Sequence, residues 1–163
     1  MPIHPSRRAF LPLAAIAAAA SACRKSGSAP AAHRVAEIEG SRPDRIHALS
    51  RLMTAGARER LIATVLDASI LEEQFGDGEM GPSDFRHLGF VKVLPPDIAR
   101  WATAPGRLAE SPGWVEPPME VSWWISKADF QDLRFFESRM VFGQNGWIAV
   151  SPKGLLYFLI ATS

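Results

Sequence analysis

At 163 residues, with 18 basic against 17 acidic side chains, the chain is the size of one domain and carries no broad basic field for nucleic acid. Its single cysteine, Cys23, excludes an intramolecular disulfide and a thiolate metal cluster. Apolar types make up 47% of the residues, enough for one hydrophobic core, so stability has to rest on packing.

The first segment in chain order is SRRAFLPLAAIAAAASAC, Ser6 to Cys23. Two arginines precede a run of small apolar residues broken only by Pro12 and Ser21, and that run is shorter than the ~20 residues a spanning helix needs. Arg7 and Arg8, followed by Phe10 and Leu11, resemble the twin-arginine export signal of bacteria. The resemblance implies export of an already folded chain. Ala20-Ser21-Ala22-Cys23 resembles a lipoprotein cleavage site, in which small residues precede the cysteine that receives lipid, although Ala20 stands where a larger aliphatic residue is usual. The same residues also suit an ordinary A-x-A site that would leave Cys23 as a free thiol. Both alternatives cut the same bond and define residues 1–22 as a signal peptide. Losing Arg7 and Arg8 takes the basic count from 18 to 16, which leaves the remainder near neutral.

Residues 23–42 are rich in Ser, Ala, Gly and charge without an apolar period, which reads as a flexible tether to the membrane. Arg24 takes the position that decides inner-membrane retention in many Gram-negative lipoproteins. It is not the retaining aspartate, so the resemblance points to the outer membrane.

Residues 43–163 read as a single α+β domain: an antiparallel sheet of about five or six strands with two or three helices on one face. Asp44, Ile46, Leu49, Leu52 and Met53 predict an amphipathic helix with Gly56 as its stop. Residues from Arg58 predict a short helix and then a strand ending near Phe75. A glycine-rich loop follows at 76–82, then a strand over 85–94 and a short helix over 97–102 with Ile98 and Trp101 facing inward. The proline-rich stretch 105–118 predicts an irregular wrap over the surface. Residues 120–125 (EVSWWI) predict a strand, and Ser126 with Asp129 caps a helix whose face carries Phe130, Leu133 and Phe136. Asn145-Gly146 predicts a hairpin turn joining strands at 139–142 and 147–150. A second turn, Ser151 to Gly154, leads to LLYFLIA, Leu155 to Ala161, whose unbroken apolar run predicts the middle of the sheet.

Two constellations carry candidate chemistry. Asp77, Glu79, Asp84 and His87 lie close together in a glycine-rich stretch, where carboxylates and one imidazole suit a divalent metal. The spacing is not that of an EF-hand, and the expectation attached to it is a metal-assisted hydrolase. Trp114, Trp123 and Trp124 offer aromatic faces for a ligand groove, with one of the adjacent pair expected in the core and the other on the outer face. No G-x-S-x-G, P-loop or dinucleotide fingerprint is present, and Ser83, Asp84 and His87 are too close in sequence to oppose one another as a triad. The leading expectation is a non-enzymatic envelope lipoprotein without a cofactor, anchored to the membrane through Cys23 and binding a peptide, glycan or partner protein.

Overall fold

The computed structural model describes residues 33–76, 84–103, 110–151 and 153–162. It is an α+β fold in which one six-stranded antiparallel sheet is ordered β1-β2-β3-β6-β5-β4. The strands are β1 (His33–Glu37), β2 (Val65–Phe75), β3 (Asp84–Val93), β4 (Arg134–Glu137), β5 (Asn145–Val150) and β6 (Leu155–Ala161). Two three-strand meanders, β1-β2-β3 and β4-β5-β6, join where β3 pairs with β6. β6 is central, as its apolar run demands. Leu156, Phe158 and Ile160 enter the core under the helices, while Tyr157, Leu155 and Leu159 meet the opposite layer.

Four helices cover the first face: α1 (Arg42–Leu52), α2 (Ala55–Leu61), α3 (Ile98–Thr103) and α5 (Arg139–Phe142). α1 starts with Pro43 in its first turn and a capping box in which the Asp44 carboxylate accepts from the Ser41 amide and hydroxyl. Arg45 then ties the helix to β2, donating to the Ala68 carbonyl at 2.8 Å and to Asp67 at 2.6 Å. α1 ends at Leu52, short of the expected stop, because Thr54 caps a new helix in which Gly56 is an interior residue. Trp101 is buried as expected, and its indole N–H donates to Thr64 Oγ1 at 3.0 Å. In β2 the extra residue Leu66 forms a bulge between Val65 and Asp67.

The second face is covered by the irregular stretch from 110 and by the single turn α4 (Lys127–Phe130), which Ser126 caps through the Asp129 amide. Phe130, Leu133 and Phe135 pack there against Trp147 and Tyr157. Among the described residues no helix is long and apolar enough to cross a membrane.

Further expectations are corrected. His33–Glu37 belongs to the sheet and not to a tether: it pairs with β2 from His33↔Phe75 to Glu37↔Leu71. An edge strand needs backbone pairing rather than an apolar face, so its sequence carries no period. Residues 120–125 form turns and not a strand, since Pro117 and Pro118 offer no amide donors and the segment is instead anchored by its indoles, Trp124 to the Val115 carbonyl and Trp123 to the Glu37 carboxylate. The face of Phe130, Leu133 and Phe136 is not helical, because α4 stops at Phe130 and β4 takes up Phe136.

Residues 139–142 form helix α5 and not a hairpin strand. Gly143, at φ 71°, ends that turn in the left-handed region, and the Ser138 hydroxyl bonds the Gln144 carbonyl. The hairpin partner of β5 is therefore β4, and Asn145-Gly146 opens β5 instead of turning into it.

Candidate functional site

On the second face Trp124 stands between two surface clefts. One, of about 460 Å³, is lined by Trp114, Trp124, Met119, Glu116 and Glu120. The other, of about 340 Å³, is lined by Trp124, Asp129, Asp132, Lys153 and Tyr157. Backbone carbonyls hold the indoles in place: Trp124 Nε1 donates to Val115 O at 3.0 Å and Trp114 Nε1 to Ile125 O at 3.4 Å. With their N–H groups satisfied, both rings present π faces and edges rather than polar atoms. Trp124 is braced edge-on against Tyr157 at 5.9 Å, and Lys127 lies 5.9 Å from the Trp114 ring centre.

Of the three tryptophans singled out by sequence, the structure brings two to one cleft. Trp123 is not in it. Its indole donates to the Glu37 carboxylate at 2.6 Å, pinning the irregular segment to β1, and it meets Trp124 edge-on instead of on the opposite face of a strand.

Tyr157 is the chain's only tyrosine, and burial, reinforced by the nearby Asp129 charge, pushes its phenol above the ordinary value. Below pH about 10 folded and unfolded chains both keep this proton, so stability is unaffected. Between the ordinary value and the raised one the unfolded chain ionises first and stability falls. Tyr157→Phe should remove that alkaline loss. Urea unfolding on either side of the transition checks it, and absorbance titration of the phenolate locates the transition.

The expected metal set does not assemble among the described residues. Asp77 and Glu79 lie outside them. Asp84 and His87, three residues apart in β3, leave opposite faces of the strand, so they cannot share an ion. Among the described residues no group of three or more His, Cys, Asp or Glu side chains is placed to hold a metal. The hydrolase expectation loses its histidine–aspartate pair with this geometry. Arg7, Arg8, Phe10, Leu11 and Cys23 also lie outside the described residues.

His87 instead points under the helices. Its Nε2 is 3.1 Å from Glu72 Oε2, the residue opposite it in register, and its ring stacks on Phe85 at 6.3 Å.

Sequence reasoning missed a second polar group, on the other face of β2. Glu73 is 3% exposed and accepts from His33 at 2.8 Å and from the guanidinium of Arg86. The signal was the pair Glu72-Glu73 itself, because adjacent residues on a strand must face opposite ways and both faces of β2 are covered. Comparison with family models, curated proteins and solved structures finds no match to this chain.

Proposed function

We propose that this chain is an exported, lipid-anchored module of the bacterial cell envelope that binds an envelope glycan in the aromatic cleft beside Trp124. The address rests on Arg7, Arg8, Phe10, Leu11 and the small residues before Cys23, the chain's only cysteine. A thioether-linked lipid on Cys23 would place the domain in the periplasm or at the cell exterior, on the outer membrane where there is one.

The observation that carries the binding role is that Trp114 and Trp124, packed on the edge of the second core cluster and only partly buried, line a cleft shared with Glu116 and Glu120. Indole faces are electron-rich and attract the C–H faces of sugar rings, while carboxylates accept from sugar hydroxyls. An apolar floor with a few polar groups at its rim is the usual form of a small-ligand site. Cationic peptides would meet the same acidic rim, but they do not need two indole faces.

Two measurements test the reading. Mass spectrometry of the mature N-terminus from membrane and soluble fractions should find a diacylglyceryl-modified Cys23 in the membrane fraction; an unmodified chain in the soluble fraction removes the anchor. Titration with soluble peptidoglycan fragments should quench tryptophan fluorescence. Glu116→Gln with Glu120→Gln, both at exposed positions, should weaken binding about tenfold, the value of one or two hydrogen bonds to charged groups. Quenching that is absent, or unchanged in this double variant, sinks the glycan assignment.

A further inference from the structure

On the helical face, a cleft of about 400 Å³ opens between α1 and the ends of β2 and β3, with walls that include Ile38, Leu52 and Phe85. Five polar side chains line it: Arg51, Glu72, His87, Gln144 and Thr162, whose hydroxyl is already bonded to the Phe85 backbone. The His87 side chain is 7% exposed, and its Nδ1 is buried without a hydrogen-bond partner among the described residues. Gln144 Oε1 is in the same condition. A buried polar atom left unpaired costs about 1–3 kcal/mol, and the two residues that carry such atoms line one cleft, where a donor that reached both would satisfy them.

The chemistry of that partner follows from the hydrogen bonds already made. A carboxylate only accepts, so His87 Nε2 donates to Glu72, and in the tautomer with Nδ1 unprotonated that atom is a bare acceptor. Gln144 Oε1 is an acceptor as well. Both orphan atoms are thus acceptors, which a simple anion cannot satisfy and a donor can. Glu72 is 42% exposed and supplies a negative charge beside the two acceptors, and the exposed Arg51 on α1 supplies a positive one. Apolar side chains form the remaining wall.

We propose that this cleft is a binding site for a free α-amino acid with an apolar side chain. The ammonium donates to His87 Nδ1 and Gln144 Oε1 next to the Glu72 charge. The carboxylate meets Arg51, and the side chain lies against Ile38, Leu52 and Phe85. The volume is within the range of small-molecule sites. The site is on the opposite face of the sheet from Trp114 and Trp124, so it stands or falls independently of the glycan cleft.

Calorimetric and thermal-unfolding titrations of the purified full chain with L-leucine test the proposal. Saturable binding is expected, together with a midpoint that rises with ligand concentration by mass action. N-acetyl-L-leucine, which lacks the ammonium, and L-leucine methyl ester, which lacks the carboxylate, should each bind at least about tenfold more weakly. Arg51→Gln, on an exposed helix position that the fold does not need, should weaken L-leucine by about tenfold and restore parity between leucine and its methyl ester. Gln144→Leu should weaken L-leucine while leaving a folded chain with an unchanged or higher melting midpoint, since it removes an unpaired acceptor. The absence of saturable binding of L-leucine at millimolar concentration overturns the proposal. So does binding that is indifferent to both substitutions and to acetylation.

Discussion

Replacing Gly89 with alanine should cost about 3 kcal/mol of stability, near the upper end for overpacking a core. Gly89 sits in β3 directly opposite Phe158 of β6, and the phenyl ring folds back over the glycine backbone. A Cβ at Gly89 would lie 2.1 Å from two ring carbons. The ring has nowhere to go: it is 1% exposed and packs against Phe142 at 4.7 Å under α5. Glycine in the interior of a strand is ordinarily a weakness, but here the aromatic ring covers it and uses the space its missing side chain leaves. Phe158→Leu alone should cost about 2 kcal/mol through the cavity it leaves. Because the two substitutions make and fill the same space, Gly89→Ala with Phe158→Leu should be more stable than their sum by about 1 kcal/mol or more. Urea unfolding of the four proteins closes the cycle, and strict additivity would show that ring and glycine are not coupled.

Removing the carboxylate of Glu73 should be of similar size. Glu73 is buried on the second face of β2, with one oxygen facing His33 and the other the Arg86 guanidinium. Arg86 and His33 also both lie over Phe75, at 5.9 and 5.3 Å, so four side chains from three strands form one knot. Breaking a buried ion pair from one side typically costs 3–5 kcal/mol. Arg86 is 31% exposed and His33 51%, which lets water take over part of the lost interaction. The expected cost of Glu73→Ala is therefore about 2–3 kcal/mol. Glu73→Gln keeps the shape and one acceptor and should cost less. The knot is also a side-chain link between β1 and the rest of the sheet, so amide exchange over 33–37 should accelerate in Glu73→Ala more than exchange in β6. Equal acceleration in both strands would mean that the knot supports the whole domain and not its edge.

What the sequence made legible was the part of the fold set by burial alone. Leu155 to Ala161 has no polar residue, and only a strand covered on both faces can use it. Ser41 to Leu52 combined a proline, an acidic first turn and an apolar stripe, and all three act locally. The misreadings came where two local signals competed or where the partner was distant in the chain. Asn145-Gly146 is a strong turn signal, but Gly143 supplies a left-handed residue two positions earlier and closes α5 first. Gly146 then serves close approach, since a Cβ there would lie 1.9 Å from the Leu159 carbonyl oxygen. β1 has no apolar pattern because its place is fixed by the backbone of β2 and by Glu73, some 40 residues away. The pairing of His87 with Glu72 likewise depends on a hairpin register that no spacing within DFRHLGF reveals.

The position of β1 also sets how the domain would stand. His33, Phe75, Asp84 and Ala161 fall at one end of the sheet, so the entry and the exit of the described chain are on the same side. Cys23 is only ten residues from His33, a leash of at most about 35 Å even when fully drawn out. A lipid on Cys23 would therefore set the domain down on that end. The mouth bounded by Phe85 and Thr162 would look toward the bilayer. The cleft at Lys153 and Leu155, at the far end of strands about 35 Å long, would be lifted away from it. The two mouths would then face opposite ways, one toward the lipid surface and the other away from it.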